Sequence, residues 1–188
     1  MARQRTDAPL TYSDLLVVEY EQLKEEQRAR IASRDNLVYA TLVAVGAVGA
    51  AALQSSPLML LVLPPVCVIL GWIHAGNDRK VWEIGRYIRQ HLAPRLATGG
   101  MPAFAWETVH RADTGYRRRR RVQITVTLLT FCAPGLIAVG ANVSAAIGSA
   151  RLATLAATEV AGLLTLAWAI VANADRGTDA GTAPQDMP

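Results

Sequence analysis

Between Asn36 and Asn77 the chain has no Asp, Glu, Lys or Arg; Asp35 closes this stretch on one side and Asp78 on the other. Strands in a soluble core run about 4–8 residues, so a charge-free run of this length excludes an ordinary soluble core. It is roughly twice the ~20 apolar residues that a membrane-spanning helix needs. Gln54-Ser55-Ser56-Pro57 in its middle is a turn signal. The stretch therefore predicts a helical hairpin that crosses a bilayer, turns without charge and returns.

Other absences narrow the class. The chain has only two cysteines, Cys67 and Cys132, both within apolar runs. Thiols there act as small hydrophobes, and no disulfide framework or CxxC metal pair is predicted. The sequence lacks a Gly-rich phosphate loop, a G-x-S-x-G elbow, an H-E-x-x-H pair and the kinase motifs, so no enzyme activity and no cofactor are expected. Glu107 and His110 have the E-x-x-H spacing of di-iron bundles. Such sites need a second pair and two more carboxylates, so no metal is expected. The first 36 residues are crowded with charge and hold no signal-peptide core, and the N-terminus is expected to be retained.

What is present arranges itself around the hairpin. The boundaries read as a charged N-terminal helix over 1–36, a first transmembrane hairpin over 37–75, and a basic connection over 76–121. A second hairpin over 122–173 and a disordered tail over 174–188 follow. Thr11 or Ser13 can cap the N-terminal helix, with Asp14 in its first turn. Leu16, Tyr20 and Leu23 form a narrow apolar stripe that resumes at Ile31, and Glu21–Lys24, Glu25–Arg28 and Glu26–Arg30 have helix-supporting spacing. Either this helix is solvated, or its stripe packs on a partner or on the later basic connection. In that connection Val81, Ile84, Ile88 and Leu92 share one face. It reads as an interfacial amphipathic helix or, equally, as an extension of the second span packed on the N-terminal helix.

The first span, about Leu37–Leu53, has small residues four apart: Ala40 with Ala44, and Gly46 with Ala50. That spacing permits close helix contact in lipid, within or between chains. The second span, about Pro57–Ala75, contains Pro64-Pro65, and the third, about Val122–Ala141, contains Pro134; all three are kink candidates. His74 reads as an interfacial residue. The fourth span, about Leu152–Asn173, holds Glu159, the single acid inside an apolar run. Intramembrane carboxylates usually face a bundle interior or a cavity. Thr158 and Thr165 add polar groups to the same helix. Glu159 reads either as a packing residue or as the lining of an ion path.

Charge sets the expected topology. The segments before the first span and between spans two and three hold 17 of the 19 Lys and Arg residues. By the positive-inside rule both termini and the connection are cytoplasmic and the protein is multi-pass in the plasma membrane. Arg117, Arg118, Arg119, Arg120 and Arg121 immediately precede the third span, and such a cluster is expected to contact anionic lipid. It lacks interleaved aromatics and adjoins a hydrophobic run, so nucleic acid is not expected as a partner.

The layout also carries a resemblance. A charged helix through Glu19-Tyr20-Glu21-Gln22-Leu23-Lys24-Glu25-Glu26-Gln27 and Arg34-Asp35-Asn36 enters a two-helix hairpin; a basic connection and a second hairpin follow. This resembles the small four-span integral membrane proteins of actinobacteria, and is similar in plan to membrane effectors of bacterial conflict (anti-phage) systems. The resemblance implies a signal-receiving cytosolic part and spans that oligomerise and breach the membrane. It transfers no functional residue. The expectation is thus an all-α polytopic membrane protein with four transmembrane helices as two hairpins plus cytosolic amphipathic helices. Its expected function is that of an oligomerising, membrane-perturbing or channel-like effector controlled from the cytosolic side. A membrane anchor for a cytosolic protein partner is the alternative, and a small proton-coupled transporter is a third.

Overall fold

The computed structural model describes residues 11–97 and 116–179. Among these residues it is all-α. Four helical rods are long and apolar enough to cross a membrane: Tyr12–Gln54, Pro57–Leu96, Arg118–Ala141 and Ala150–Asn173. The chain is an all-α polytopic membrane protein.

Helix α1 runs unbroken from Tyr12 to Gln54. Thr11 caps it: its N–H donates to Asp14 Oδ2 at 3.0 Å, and its hydroxyl bonds the same oxygen. The hydroxyl first, then the N–H, hold the Asp14 carboxyl below its usual pKa. An acid–base pair one turn apart, Glu26 with Arg30 at 2.6 Å, supports the polar part. No helix-breaking residue separates the charged and apolar parts, so they form one rod.

The chain turns at Ser55-Ser56. The Ser56 hydroxyl accepts the Leu58 N–H at 3.3 Å, and Pro57 opens a 3-10 helix, Pro57–Val62. Helix α2, Leu63–Tyr87, then begins with Pro64 and Pro65 in its first turn. There a missing N–H costs nothing, because first-turn donors have no intrahelical acceptor. The prolines thus mark the change from 3-10 to α geometry, where the sequence suggested a kink inside a continuous α-helical span. The same holds for Pro134. Helix α3, Tyr116–Phe131, breaks at Cys132, and Pro134 lies in the first turn of α4, Ala133–Ala141. Beyond Tyr87 a π-helical turn, Ile88–Leu92, leads into Ala93–Leu96. Pro94 has no N–H to offer the Gln90 carbonyl, and the widened turn relieves that conflict. Helix α5, Ala150–Asp179, completes the chain after the short turn Val143–Ile147.

The two hairpins meet through a core of Ala75, Phe131, Cys132, Leu166 and Ile170, with Leu37, Val38 and Leu70 packed around it. Glycines allow the close approach. A Cβ on Gly71 would lie 2.6 Å from a Leu166 methyl and 3.0 Å from Phe131 Cβ, and one on Gly135 would lie 3.0 Å from Leu163 and 3.3 Å from the Pro64 backbone. A Gly71→Ala substitution is expected to cost about 1–3 kcal/mol through overpacking. Gly46→Ala, whose Cβ would meet nothing within 4 Å, is expected to fall within about 0.5 kcal/mol of wild type. Detergent-unfolding titrations of the two variants check the pair. At the turn end, the buried Asn142 amide donates to Pro57 O at 3.0 Å and Ala138 O at 2.9 Å. One side chain thereby ties the first turn to the end of α4.

A second cluster lies apart from the first. Leu16, Ile84, Ile88 and Leu92 are buried together, with Tyr20, Leu23 and Leu96 against them. The charged part of α1 and the end of the α2 rod therefore form an antiparallel stalk that prolongs the first hairpin beyond its apolar stretch. Of the two sequence readings of the 78–93 region, this is the extension. Crossing polar bonds line its length: Tyr87 Oη donates to Glu19 at 2.7 Å, Gln27 to Val81 O at 3.4 Å, and Asn77 to Ser33 at 3.2 Å.

Candidate functional site

Where the stalk enters the bundle, three helices are joined by charge. Asp78 of α2 bonds Arg34 of α1 at 3.2 Å through Oδ1 and Arg120 of α3 at 3.2 Å through Oδ2. Arg120 also donates to Gln123 Oε1 at 3.2 Å, and its guanidinium lies 5.0 Å from the Trp82 ring centroid. Helical spacing explains the meeting. Arg34 and Asp78 stand at corresponding levels of an antiparallel pair, and Arg120 follows one turn into α3. The side chains of Arg120 and Asp78 are 8% and 15% exposed, so this is a shielded cluster with each carboxylate oxygen committed.

The arginine run is thereby divided. Arg118, Arg119 and Arg121 are exposed, while Arg120 turns inward. Arg120 is thus a correction to the expectation that the run faces lipid as a unit: Asp78 and Trp82 hold it inside, and a helix cannot point consecutive residues the same way. The side chain of Arg117 lies outside the described residues.

His74 lies close to this cluster. It is 7% exposed and packs at a tilt against Phe131, with ring centroids 4.9 Å apart, so its ring is covered inside the bundle. Its Nδ1 and the Arg120 Nε have no partner among the described residues. Both residues line a small cavity with Asp78, Gln123, Thr127 and Asn173 that has room for about one water (about 20 Å3).

Glu159 is 8% exposed, and its Oε2 has no partner among the described residues. It shares the buried face of α5 with Leu163, Leu166 and Ile170. Thr158 and Thr165 lie on the exposed face; their hydroxyls donate to Thr154 O at 2.9 Å and Ala161 O at 2.8 Å. The structure does not group them with Glu159. Between Glu159 and the His74 cavity lie Leu163, Leu166 and Phe131, each no more than 1% exposed. Among the described residues these three side chains form a packed apolar plug.

The Asp78 cluster was not singled out from sequence, although two signals for it were present. Asp78 ends the charge-free run, and Arg120 lies in the basic cluster. Only the antiparallel register shows that they meet. Among the described residues no three His, Cys, Asp or Glu side chains could hold a metal ion; Glu107 and His110 lie outside the described residues. Compared with known proteins, the chain matches no family model, no curated protein and no solved structure.

Proposed function

We propose that the protein is an effector of the plasma membrane that assembles into oligomers and permeabilises the bilayer under control of its cytosolic stalk. Both termini lie in the cytoplasm, and the exposed arginines Arg118, Arg119 and Arg121 rest against anionic lipid. The observation that carries the reading is the face of α1. Only 6% of the most apolar window of α1 is buried, against 33% for the rod that follows. Gly46, Ala47 and Ala50 point outward on it, with the small-residue spacing that lets helices from different copies approach. The plug supports a conducting path that runs between copies of such an assembly. Glu159, on the buried face of α5 beside the plug, then contributes to the packing of each copy and not to the path.

Regulated expression with a membrane-potential dye tests this. Wild type is expected to depolarise cells, and Glu159→Gln to do the same. The Gly46→Leu, Ala50→Leu double variant is expected to insert normally and lose the effect. Depolarisation that survives the double variant but is lost with Glu159→Gln would move the path into the bundle and defeat this arrangement.

A second reading is a non-conducting anchor that holds a cytosolic protein at the membrane. The paired stalk favours it, because a stiff two-helix projection presents a fixed surface to a partner. An unaltered potential together with a co-purifying cytosolic protein would support it.

A further inference from the structure

A groove of about 380 Å3 opens on the surface between α2 and α5, within the roughly 300–1,000 Å3 typical of ligand sites. Trp72 and Trp168 line it from different helices, and both are more than half exposed. Small residues, Gly76, Ala169 and Ala172, also line it, and a Cβ at Gly76 would meet nothing within 4 Å. Arg79 lies at its charged end. The groove is therefore apolar along the charge-free stretch, flanked by two tryptophans, a residue type enriched at membrane interfaces, and cationic just past Asp78, where that stretch ends.

Among the described residues, positive charge is in surplus on the α2 side of this rim. Glu83 is shared: Lys80 Nζ is 2.8 Å from one carboxylate oxygen, and Arg79 Nε is 3.6 Å from the other. Arg86 adds a further positive charge close by, with no second acid between Arg79 and Arg86. One carboxylate thus faces three cations, and the half-exposed Arg79 guanidinium keeps donors for an external anion.

We infer that this groove is a binding site for one anionic phospholipid of the leaflet at the charged end. An acyl chain lies between Trp72 and Trp168 over Gly76, and the headgroup phosphate lies on Arg79. The inference rests on the membrane arrangement of the helices and not on conduction or anchoring, so either functional reading can fail without it. It is distinct from the arginine run, whose exposed members lie on α3.

The test uses the full chain in lipid nanodiscs, with Trp82→Phe and Trp106→Phe so that Trp72 and Trp168 report. Quenching by brominated phosphatidylglycerol is compared with quenching by brominated phosphatidylcholine. The anionic lipid is expected to quench at about fivefold lower mole fraction, the preference of roughly one basic contact. Arg79→Gln is expected to bring the two lipids together. Gly76→Phe, which fills open space, is expected to weaken quenching by the anionic lipid, while Arg79→Lys keeps the preference. Equal quenching by both lipids in the parent protein would overturn the inference. So would a preference that survives Arg79→Gln and disappears with Arg118→Gln and Arg119→Gln, which would reduce it to general surface charge. Protection from both lipids that grows with protein density would also overturn it, since a second copy would then occupy the groove.

Discussion

Replacing Asp78 with alanine is expected to destabilise the bundle by about 3–5 kcal/mol, the usual loss when one partner of a buried ionic group is removed. The magnitude follows from what is left behind. Arg34 and Arg120 would face each other across the vacated site, with side chains 22% and 8% exposed and only the exposed Asp35, 3.6 Å from Arg34, left beside them. An exposed ion pair would be worth only about 0–1 kcal/mol; burial raises the stakes, because the abandoned charges cannot recover full hydration. The penalty should fall when the stranded charges go too. Asp78→Ala combined with Arg34→Ala and Arg120→Met is expected to be more stable than Asp78→Ala alone. Detergent-unfolding titrations of the single and triple variants measure both. A single-variant loss below about 1 kcal/mol, or a triple variant worse than the single, would mean that the cluster is solvated and does not hold the helices together.

Ile88→Ala is expected to cost about 2–5 kcal/mol, with the loss confined to the stalk. Ile88 is fully buried between α1 and the α2 rod, in a region outside the apolar stretch where the hydrophobic effect acts at full strength. The stalk cluster shares no residue with the membrane core, so each can open separately. Hydrogen exchange checks this. Amides of 12–30 and 78–96 should exchange faster in the variant, while those of the apolar spans keep their protection. Leu15→Ala, at a site 52% exposed, should change little. Faster exchange throughout the chain would show instead that stalk and bundle form one cooperative unit. Uniform loss would also weaken the proposal that the stalk controls the spans, since a control element has to move without dissolving what it controls.

The polar bonds along the stalk are tuned by the same proximity. The hydrogen bond to Glu19 raises the Tyr87 phenol above its usual pKa, and the hydrogen bond from Lys80 holds Glu83 below the usual carboxylate range. Both act to keep the native protonation state near neutral pH.

Class and helix inventory were legible in the residues themselves. Whether a residue can enter hydrocarbon is a local property, so the charge-free run from Asn36 to Asn77 announced a membrane hairpin without reference to any other part of the chain. The stripes of Leu16, Tyr20 and Leu23 and of Ile84, Ile88 and Leu92 were equally visible, because helical periodicity is local. That the two stripes close on each other was not. A stripe says that a face must be covered and is silent about what covers it. The prolines show the same division: their chemistry predicted a break at Pro64-Pro65, and the preceding 3-10 helix decided that the break would be a helix start.

The side chains with the strongest claims were sorted by tertiary structure alone. Arg120 looked like its neighbours in the run until the register of α3 against α2 brought it to Asp78. His74 sat at the end of a span until Phe131 covered it. Glu159 and Thr158 are adjacent in sequence, yet one is buried and the other is not, because α5 offers a single face to the core. Solvation preference is carried by each residue separately, and the sequence alone could therefore determine an all-α membrane protein of two hairpins. The pairing of charges, the plug of Phe131, Leu163 and Leu166 and the groove between Trp72 and Trp168 depend on distances between helices. Those distances exist only once the glycines at 71 and 135 let the hairpins close.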